Sequence, residues 1–472
     1  MKITAVCRFA GLTFMITCAI IGAGQHTYAE TTNTILTLQK TLEWTLRNSP
    51  ELAAARHGTQ AAEGAALQAG AWPNPELELE VAEFGGWGAR KTYAGPAHGL
   101  DQGGAPGDPA VPTGRKSASA WHSEHRSRQE AGDAYSREGY EAAQTTIRLS
   151  QSVELGGKRS VRQRAAQSKV RLAGWEYAAV RLEVLTRSRK AFVDVLLAQA
   201  QLALAEAQLI LAEDVRKGVV ERVKSGKVPF LEETKAGVEV ANARIARERT
   251  SRKLDRARRG LATSCGGNMP DFQAASGDLD SIREVPSLAA CLSQLDATPE
   301  VARWKEEVVL AREMLTHAEA ERIPDVNVSA GVSRFEEGNS YAVVASISLP
   351  LPLFDRKVGA IRAAEQQATR AEHAERAAQL RATTELVEAH GRLEMARSEA
   401  LISKTELVPG AQQAFDTAQT GYREGKFGHL EVLDAQRTLS EAKARYLDVL
   451  ADYHKAATDV ERLTGTPLNT IQ

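Results

Sequence analysis

Glu431 and Asp434 stand three residues apart, and on a helix that spacing sets both carboxylates on one face. Such a pair attracts cations, or simply complements the positive end of a helix dipole. The pair follows a glycine turn, YREGKFGHLEVLD at 422–434, and a second copy of that turn, VKSGKVPFLEETK, occupies 223–235. Gly226 aligns with Gly425, Lys227 with Lys426, Leu231 with Leu430 and Glu232 with Glu431, each pair 199 apart. Two other chemistries have candidates. His122 and His125 flank Glu124 in WHSEH, near His98, and histidines at i and i+3 can share a metal ion, although solvated loop residues look the same. Cys265 and Cys291 could close one disulfide loop of about 25 residues, worth ~3 kcal/mol, or stand as two buried thiols. The sequence holds no HExxH, GxSxG, P-loop or Rossmann fingerprint, so we expect no enzyme and no cofactor.

The elements that carry the turns are long and duplicated. Residues 37–72 read as a helix interrupted near Pro50, followed by a period-two strand, Pro75–Val81, with Leu77, Leu79 and Val81 on one face. Residues 85–142 are rich in Gly, Pro, Ser and charge and read as a long loop. A second strand spans Thr145–Leu155. From Gly156-Gly157-Lys158-Arg159 a helix then runs without proline to Ser225, roughly 98 Å at 1.5 Å per residue. Its heptads Val195/Leu202/Leu209 and Leu196/Ala203/Ile210 have the coiled-coil period. The returning helix covers 231–262, and a polar segment, Ser264–Val285, separates the halves.

The second half repeats this order. Pro299-Glu300 matches Pro50-Glu51 and Pro324 matches Pro75, at a separation of 249, while Leu353 matches Leu155 at 198. The first-half loop therefore carries about 50 extra residues, a difference read from an internal repeat. Strands are expected at Val326–Val332 and Tyr341–Leu353, then a helix of about 65 residues from Arg356 to the second turn, and a last helix with 3-4 spacing from Leu439 to Leu463. We divide the chain into a leader at 1–29, a first repeat at 30–285 and a second at 286–472.

The leader has Lys2 and Arg8, an apolar run from Phe9 to Gly24, and a small-residue site at Thr27-Tyr28-Ala29, the pattern of a cleaved export signal. Cys18 follows a poor lipobox, and no later stretch is expected to approach 18 apolar residues. Of the 472 residues 25% are charged and 5% aromatic, a composition suited to closely packed helices, and a net charge of −1 excludes a nucleic-acid partner.

Four strands with one apolar face fit a membrane barrel, but four cannot close one, and open edges in lipid leave backbone groups unpaired. Copies must pool their strands: two would give a filled interior of eight, three a lumen of twelve. The fold class expected is mainly α with a small transmembrane β part, in which duplicated helical hairpins extend a shared cylinder away from the membrane.

The turns at 226 and 425, SQSVELGGKR at 150–159, LPLPLFDRK at 349–357 and GHLEVLDAQRTLSEAKA at 428–444 make the chain resemble the outer membrane factor family (TolC-like channels) over about 35–465. SQSVELGGKR resembles most the heavy-metal (cobalt-zinc-cadmium or nickel) resistance branch. The resemblance implies a homotrimer with a twelve-stranded β-barrel in the outer membrane and a twelve-helix α-barrel in the periplasm. It also implies an inner-membrane RND pump and a periplasmic adaptor (membrane fusion) protein at the helical tips, the whole exporting divalent metal cations.

For single residues it implies an acidic pore constriction at Glu431 and Asp434, and a latch in which Tyr422 bonds Glu232. The family's basic residue two positions after the turn glycine is here Phe427, which removes a charged link and offers an apolar constriction instead. Gly226, Lys227, Val228, Pro229, Gly425, Lys426, Phe427 and Gly428 would face the adaptor. Drug efflux and type I protein secretion are the rival uses of the same channel. A periplasmic coiled-coil scaffold is the rival outside it, opposed by the two hairpins and two amphipathic strand pairs.

Overall fold

The computed structural model describes residues 35–82, 144–270, 272–336 and 339–468. The leader, the 85–142 loop and the His98, His122 and His125 candidates lie outside the described residues. The chain forms two compact units, each drawing on both halves: 64–168 with 309–369, and the remainder.

The smaller unit is built on one antiparallel sheet, in the order β2 (Glu76–Ala82), β3 (Gln144–Val153), β5 (Val326–Phe335), β6 (Ser340–Ser348). Register explains its two faces. Leu79, Ile147, Val332 and Val343 align across all four strands, and all four are exposed. One residue along, the opposite face is polar: Thr146 and Ser333 share a hydroxyl hydrogen bond of 2.8 Å, Ser329 and Ser346 one of 2.7 Å, and Arg148 donates to Glu78 at 3.2 Å. An apolar face without cover beside a hydrogen-bonded polar face is the inverse of a soluble sheet and the signature of strands facing lipid. Among the described residues the outer edges of β2 and β6 have no strand partner.

Where the strands end, the backbone is pinned. Lys158 and Leu155 both donate to Asp325 Oδ1, at 2.8 and 3.1 Å. Gly156 has φ +70°, and a Cβ there would lie 2.8 Å from Ile323 Cδ1, so the GG of the motif is needed at this corner. The strand expected over Tyr341–Leu353 stops at Ser348, because Pro350 and Pro352 remove the donors that would continue the ladder.

The larger unit contains most of the helical residues, including both hairpin turns. α1 (Leu38–Asn48) and α2 (Pro50–Ala69) meet at the expected break. α3 (Lys158–Lys224) is 67 residues long, and α4 (Phe230–Ser264) returns. In the second half α5 (Leu288–Gln294) and α6 (Pro299–Ala320) precede α7 (Val358–Ile402), α8 (Val408–Arg423) and α9 (His429–Thr464). α3 contains an 18-residue window of mean hydropathy 1.6, so the expectation that no later stretch is so apolar is corrected. Its small and branched side chains serve helix packing, with Phe192, Val193 and Val195 fully buried.

The helix expected to run unbroken from Arg356 is interrupted by a π-helical turn, Ser403–Leu407, just before Pro409. That turn accounts for a discrepancy in the repeat. Before it, buried Ala364, Ala382, Leu386 and Ala396 correspond to Ala166, Val184, Ser188 and Ala198, at 198; after it, Ala411 and Ala418 correspond to Ala212 and Val219, at 199. One additional residue in the second half is absorbed as a wide turn, which keeps the same faces buried on both sides.

The polar segment expected between the halves carries a short strand. β4 (Ala274–Ser276) pairs in parallel with β1 (Ile35–Thr37). Gln199 bonds both backbone groups of Ala275, at 2.7 and 3.1 Å. Further along, Tyr446 donates to Asp280 at 2.6 Å, His454 Nε2 to the Leu279 carbonyl at 2.8 Å and His390 Nε2 to the Pro286 carbonyl at 2.8 Å. These polar groups straddle two apolar clusters, and the disulfide expectation fails on them. Cys265 is buried with Phe192 and Leu261, accepting from Thr45 Oγ1 at 3.2 Å, while Cys291 is buried in another cluster with Leu386 and Tyr453. Both are free thiols, each in its own core, and burial pushes the Cys291 thiol above its ordinary pKa.

Candidate functional site

Each hairpin turns by the same backbone device. At the first tip Gly226 has φ +71°; its N–H bonds the Val223 carbonyl at 2.9 Å and the Lys227 N–H bonds the Arg222 carbonyl at 2.9 Å. At the second, Gly425 has φ +75°; its N–H bonds Tyr422 at 3.1 Å and the Lys426 N–H bonds Gly421 at 2.7 Å. These are paired Schellman caps, and the left-handed residue at their centre is the reason for glycine in both copies. Pro229 and Gly428 then cap α4 and α9 without a side-chain bond, so Glu232 and Glu431 both fall at the third helical position.

The two tips diverge in chemistry. Glu232 accepts from Lys235 at 3.2 Å, one turn on, and its other oxygen is buried without a hydrogen-bond partner. Lys235 corresponds to Asp434 at the same separation of 199. At the second tip Glu431 and Asp434 are both exposed, and neither has a hydrogen-bond or ion-pair partner among the described residues. The cations nearest in sequence are engaged elsewhere: Lys426 pairs with Glu424 at 2.7 Å and Arg437 with Glu441 at 2.8 Å. The Glu431 carboxylate bends toward the start of its own helix, since a Cβ added to Gly428 would lie 2.8 Å from it.

Tyr422 and Glu232, expected to pair, each engage another residue. The Arg222 guanidinium lies 4.5 Å from the centre of the Tyr422 ring, a cation–π contact that joins α3 to α8. Phe427 folds back on Gly421; a Cβ at 421 would fall 2.2 Å from the ring, so the missing side chain makes the seat. The ring remains 45% exposed, and with Phe230 and Leu430 it gives the tips an apolar surface beside Lys227 and Lys426. A groove of about 500 Å³ along α8 is lined by Gly410, Gln413, Thr417, Phe427 and Glu431. Beneath the second tip Ala411, Phe415 and Ala418 pack on Val432, Leu439 and Ala442.

Sequence reasoning missed Arg222, Gly421 and Lys235. Lys235 was available by carrying the 199 separation one turn beyond Glu232. Arg222 and Gly421 carry no signal of their own, because each acts on a side chain brought to it by folding.

A family model described as outer membrane efflux protein matches residues 117–267 and 293–466. The cobalt-zinc-cadmium resistance protein CzcC of Cupriavidus metallidurans is 35% identical over 321 residues, covering 68% of this chain and 77% of that protein. The nickel and cobalt resistance protein CnrC of the same organism is 29% identical over 247 residues, covering 51% and 56%. Among solved structures, the outer membrane protein VceC of Vibrio cholerae superposes with a TM-score of 0.67 at 18% identity, covering 92% of this chain and 97% of that one. With a lipid-facing sheet and twin glycine-capped tips in hand, these matches close the question of kinship: the chain belongs to the outer membrane efflux protein family, in the outer membrane with its helices in the periplasm.

Proposed function

We propose that three copies of this chain form the outer-membrane duct of a tripartite RND-type efflux system and pass divalent heavy-metal cations outward without using energy themselves. The observation that carries this is the four-stranded sheet whose apolar face is exposed and whose two outer edges have no strand partner among the described residues. In lipid such edges must be closed, and β6 of one copy beside β2 of the next closes twelve strands around a lumen. The metal assignment rests on the resistance proteins to which the chain is similar.

In this reading Glu431 and Asp434 form stacked acidic rings at the periplasmic mouth, where carboxylates favour cations and slow anions. Tyr422 and Glu232 belong to the network that holds the mouth shut, and Phe427 adds an apolar rim. Gly226, Lys227, Val228, Pro229, Gly425, Lys426 and Gly428 meet the periplasmic adaptor, which the pump feeds; exposed apolar side chains between lysines suit that contact.

The test is a deletion strain challenged with cobalt, zinc, cadmium, nickel and copper salts. Sensitivity to one or more of the first four, reversed by the intact gene, supports the reading. An unchanged metal profile with lost tolerance to drugs would move the channel to drug efflux, and a water-soluble monomer that needs no detergent would remove it from this class.

A further inference from the structure

The duplication places corresponding residues of the two hairpins side by side for comparison, and one correspondence reverses sign. The acid at the third helical position is kept in both copies, as Glu232 and Glu431, but the residue one turn on is Lys235 in the first and Asp434 in the second. In the first copy the pair closes on itself at 3.2 Å, with the Glu232 side chain 20% exposed and Lys235 37% exposed. In the second copy both acids stand open to solvent. The surroundings follow the same division. Residues 221–235 carry four basic and three acidic side chains, and 420–434 carry two basic and three acidic, besides His429. Of the first set, Lys224 is occupied by Glu221 at 2.8 Å and Arg222 by the Tyr422 ring, so Lys235 is the cation that meets Glu232.

We propose that Lys235 is a specificity-determining residue of the channel: by holding Glu232 neutralised, it confines the negative charge of the mouth to the second hairpin and so limits its preference for cations. This rests on the reading of Glu431 and Asp434 as lining that mouth. Lys235 acts through Glu232, and the consequence is a graded mouth. Four hairpin acids of like sign would bind a divalent cation tightly enough to slow its release, whereas conduction needs entry without retention. Leaving the acid pair of the second hairpin open and closing the Glu232 of the first with Lys235 supplies attraction without a trap.

The experiment measures the reversal potential of single channels of the full-length protein in planar bilayers under a KCl gradient. Each variant is first checked as a heat-modifiable trimer on unboiled gels. Lys235→Met exposes the charge of Glu232 and raises the cation-to-anion permeability ratio at least about twofold, the effect of one added charge per copy, three per channel, several ångströms from the path in water. Lys235→Arg keeps the wild-type ratio, and Glu232→Gln with Lys235→Met, which removes both charges, gives a lower ratio than Lys235→Met alone. A structural role alone would alter trimer yield and leave this ratio unmoved. If Glu431→Ala with Asp434→Ala lowers the ratio while Lys235→Met leaves it unchanged, the proposal is overturned and the mouth reading stands. If neither changes it, both are overturned. Should Lys235→Met fail to insert, Glu232→Gln alone leaves Lys235 uncompensated and lowers the ratio by a similar factor; an unchanged ratio there overturns the proposal.

Discussion

Deleting Thr405 should leave the protein folded, whereas deleting Arg381 from the same helical run should not. Each residue of an α-helix advances the side chains by about 100°. Removing Arg381 turns everything from Ala382 toward the bulge away from its partners. Leu386 and Leu393 are 0% and 1% exposed, and Ala382, Ala389 and Ala396 are buried with them. Stripping two buried leucines of their contacts costs roughly 2–5 kcal/mol each. The total reaches the whole stability of an ordinary domain, about 5–15 kcal/mol.

Thr405 lies in the π-helical turn, is exposed, and its hydroxyl bonds the Leu401 carbonyl four residues back. Its removal converts the wide turn into an ordinary one. Residues 358–402 and 408–423 keep their faces, and the expected cost is about 1 kcal/mol, that of an ordinary surface change with some local adjustment. The assay is the band of the proposed trimer on unboiled gels, followed by thermal unfolding in detergent watched by circular dichroism. Thr405 deletion should keep the band and shift the midpoint by a few degrees, and Arg381 deletion should abolish the band. Equal tolerance of both deletions, or equal loss, would refute the idea that the bulge stores the extra residue of the second repeat.

Gly421→Ala should displace the Phe427 ring, costing about 1–3 kcal/mol as an overpacked contact, and Phe427→Ala in the same chain should relieve it; thermal midpoints of the two variants give the comparison. Burial holds His454 below its ordinary pKa of 6.5, outweighing the Leu279 carbonyl and Asp278, which favour the charged form. The neutral ring is therefore the folded form: its stability is present above pH 6.5 and is lost as pH falls below that value toward the folded pKa, and His454→Gln should flatten that slope in urea titrations at pH 7 and pH 5. Cys265 and Cys291 should react with a maleimide only after denaturation, and a reductant should leave the melting temperature unchanged; a shift on reduction would contradict two separate buried thiols.

The repeat is a frame on which the halves have specialised. The shared parts are those that backbone geometry demands: the glycine caps and the acid at the third helical position. The divergent parts are side chains and one inserted residue, which make the second hairpin both more acidic and locally wider than the first. Two copies of one motif thus become two unequal tips that share one backbone frame.

The strands, the two long hairpins and both tips were legible because their cause is local. Period-two and heptad patterns and glycines at turns act over a few residues, and duplication let each half check the other. The end of β6 was misplaced because alternation continues through Leu349, Leu351 and Leu353 while Pro350 and Pro352 quietly end the hydrogen bonding. The free thiols, the β1–β4 pair and the strapping of 277–287 were not legible. Spacing cannot say which apolar cluster a cysteine joins, or that Gln199 and His454 reach across to a polar segment.

By itself the sequence determined a duplicated helical hairpin with an amphipathic sheet, since repeat distance and hydrophobic period depend on chain order alone. Only the tertiary structure decided how the charges at the tips are paired, where the additional residue of the second repeat is absorbed, and which groups seat Tyr422 and Phe427. Those outcomes depend on distances of a few ångströms between residues far apart in the chain, and such distances exist only after the helices have packed.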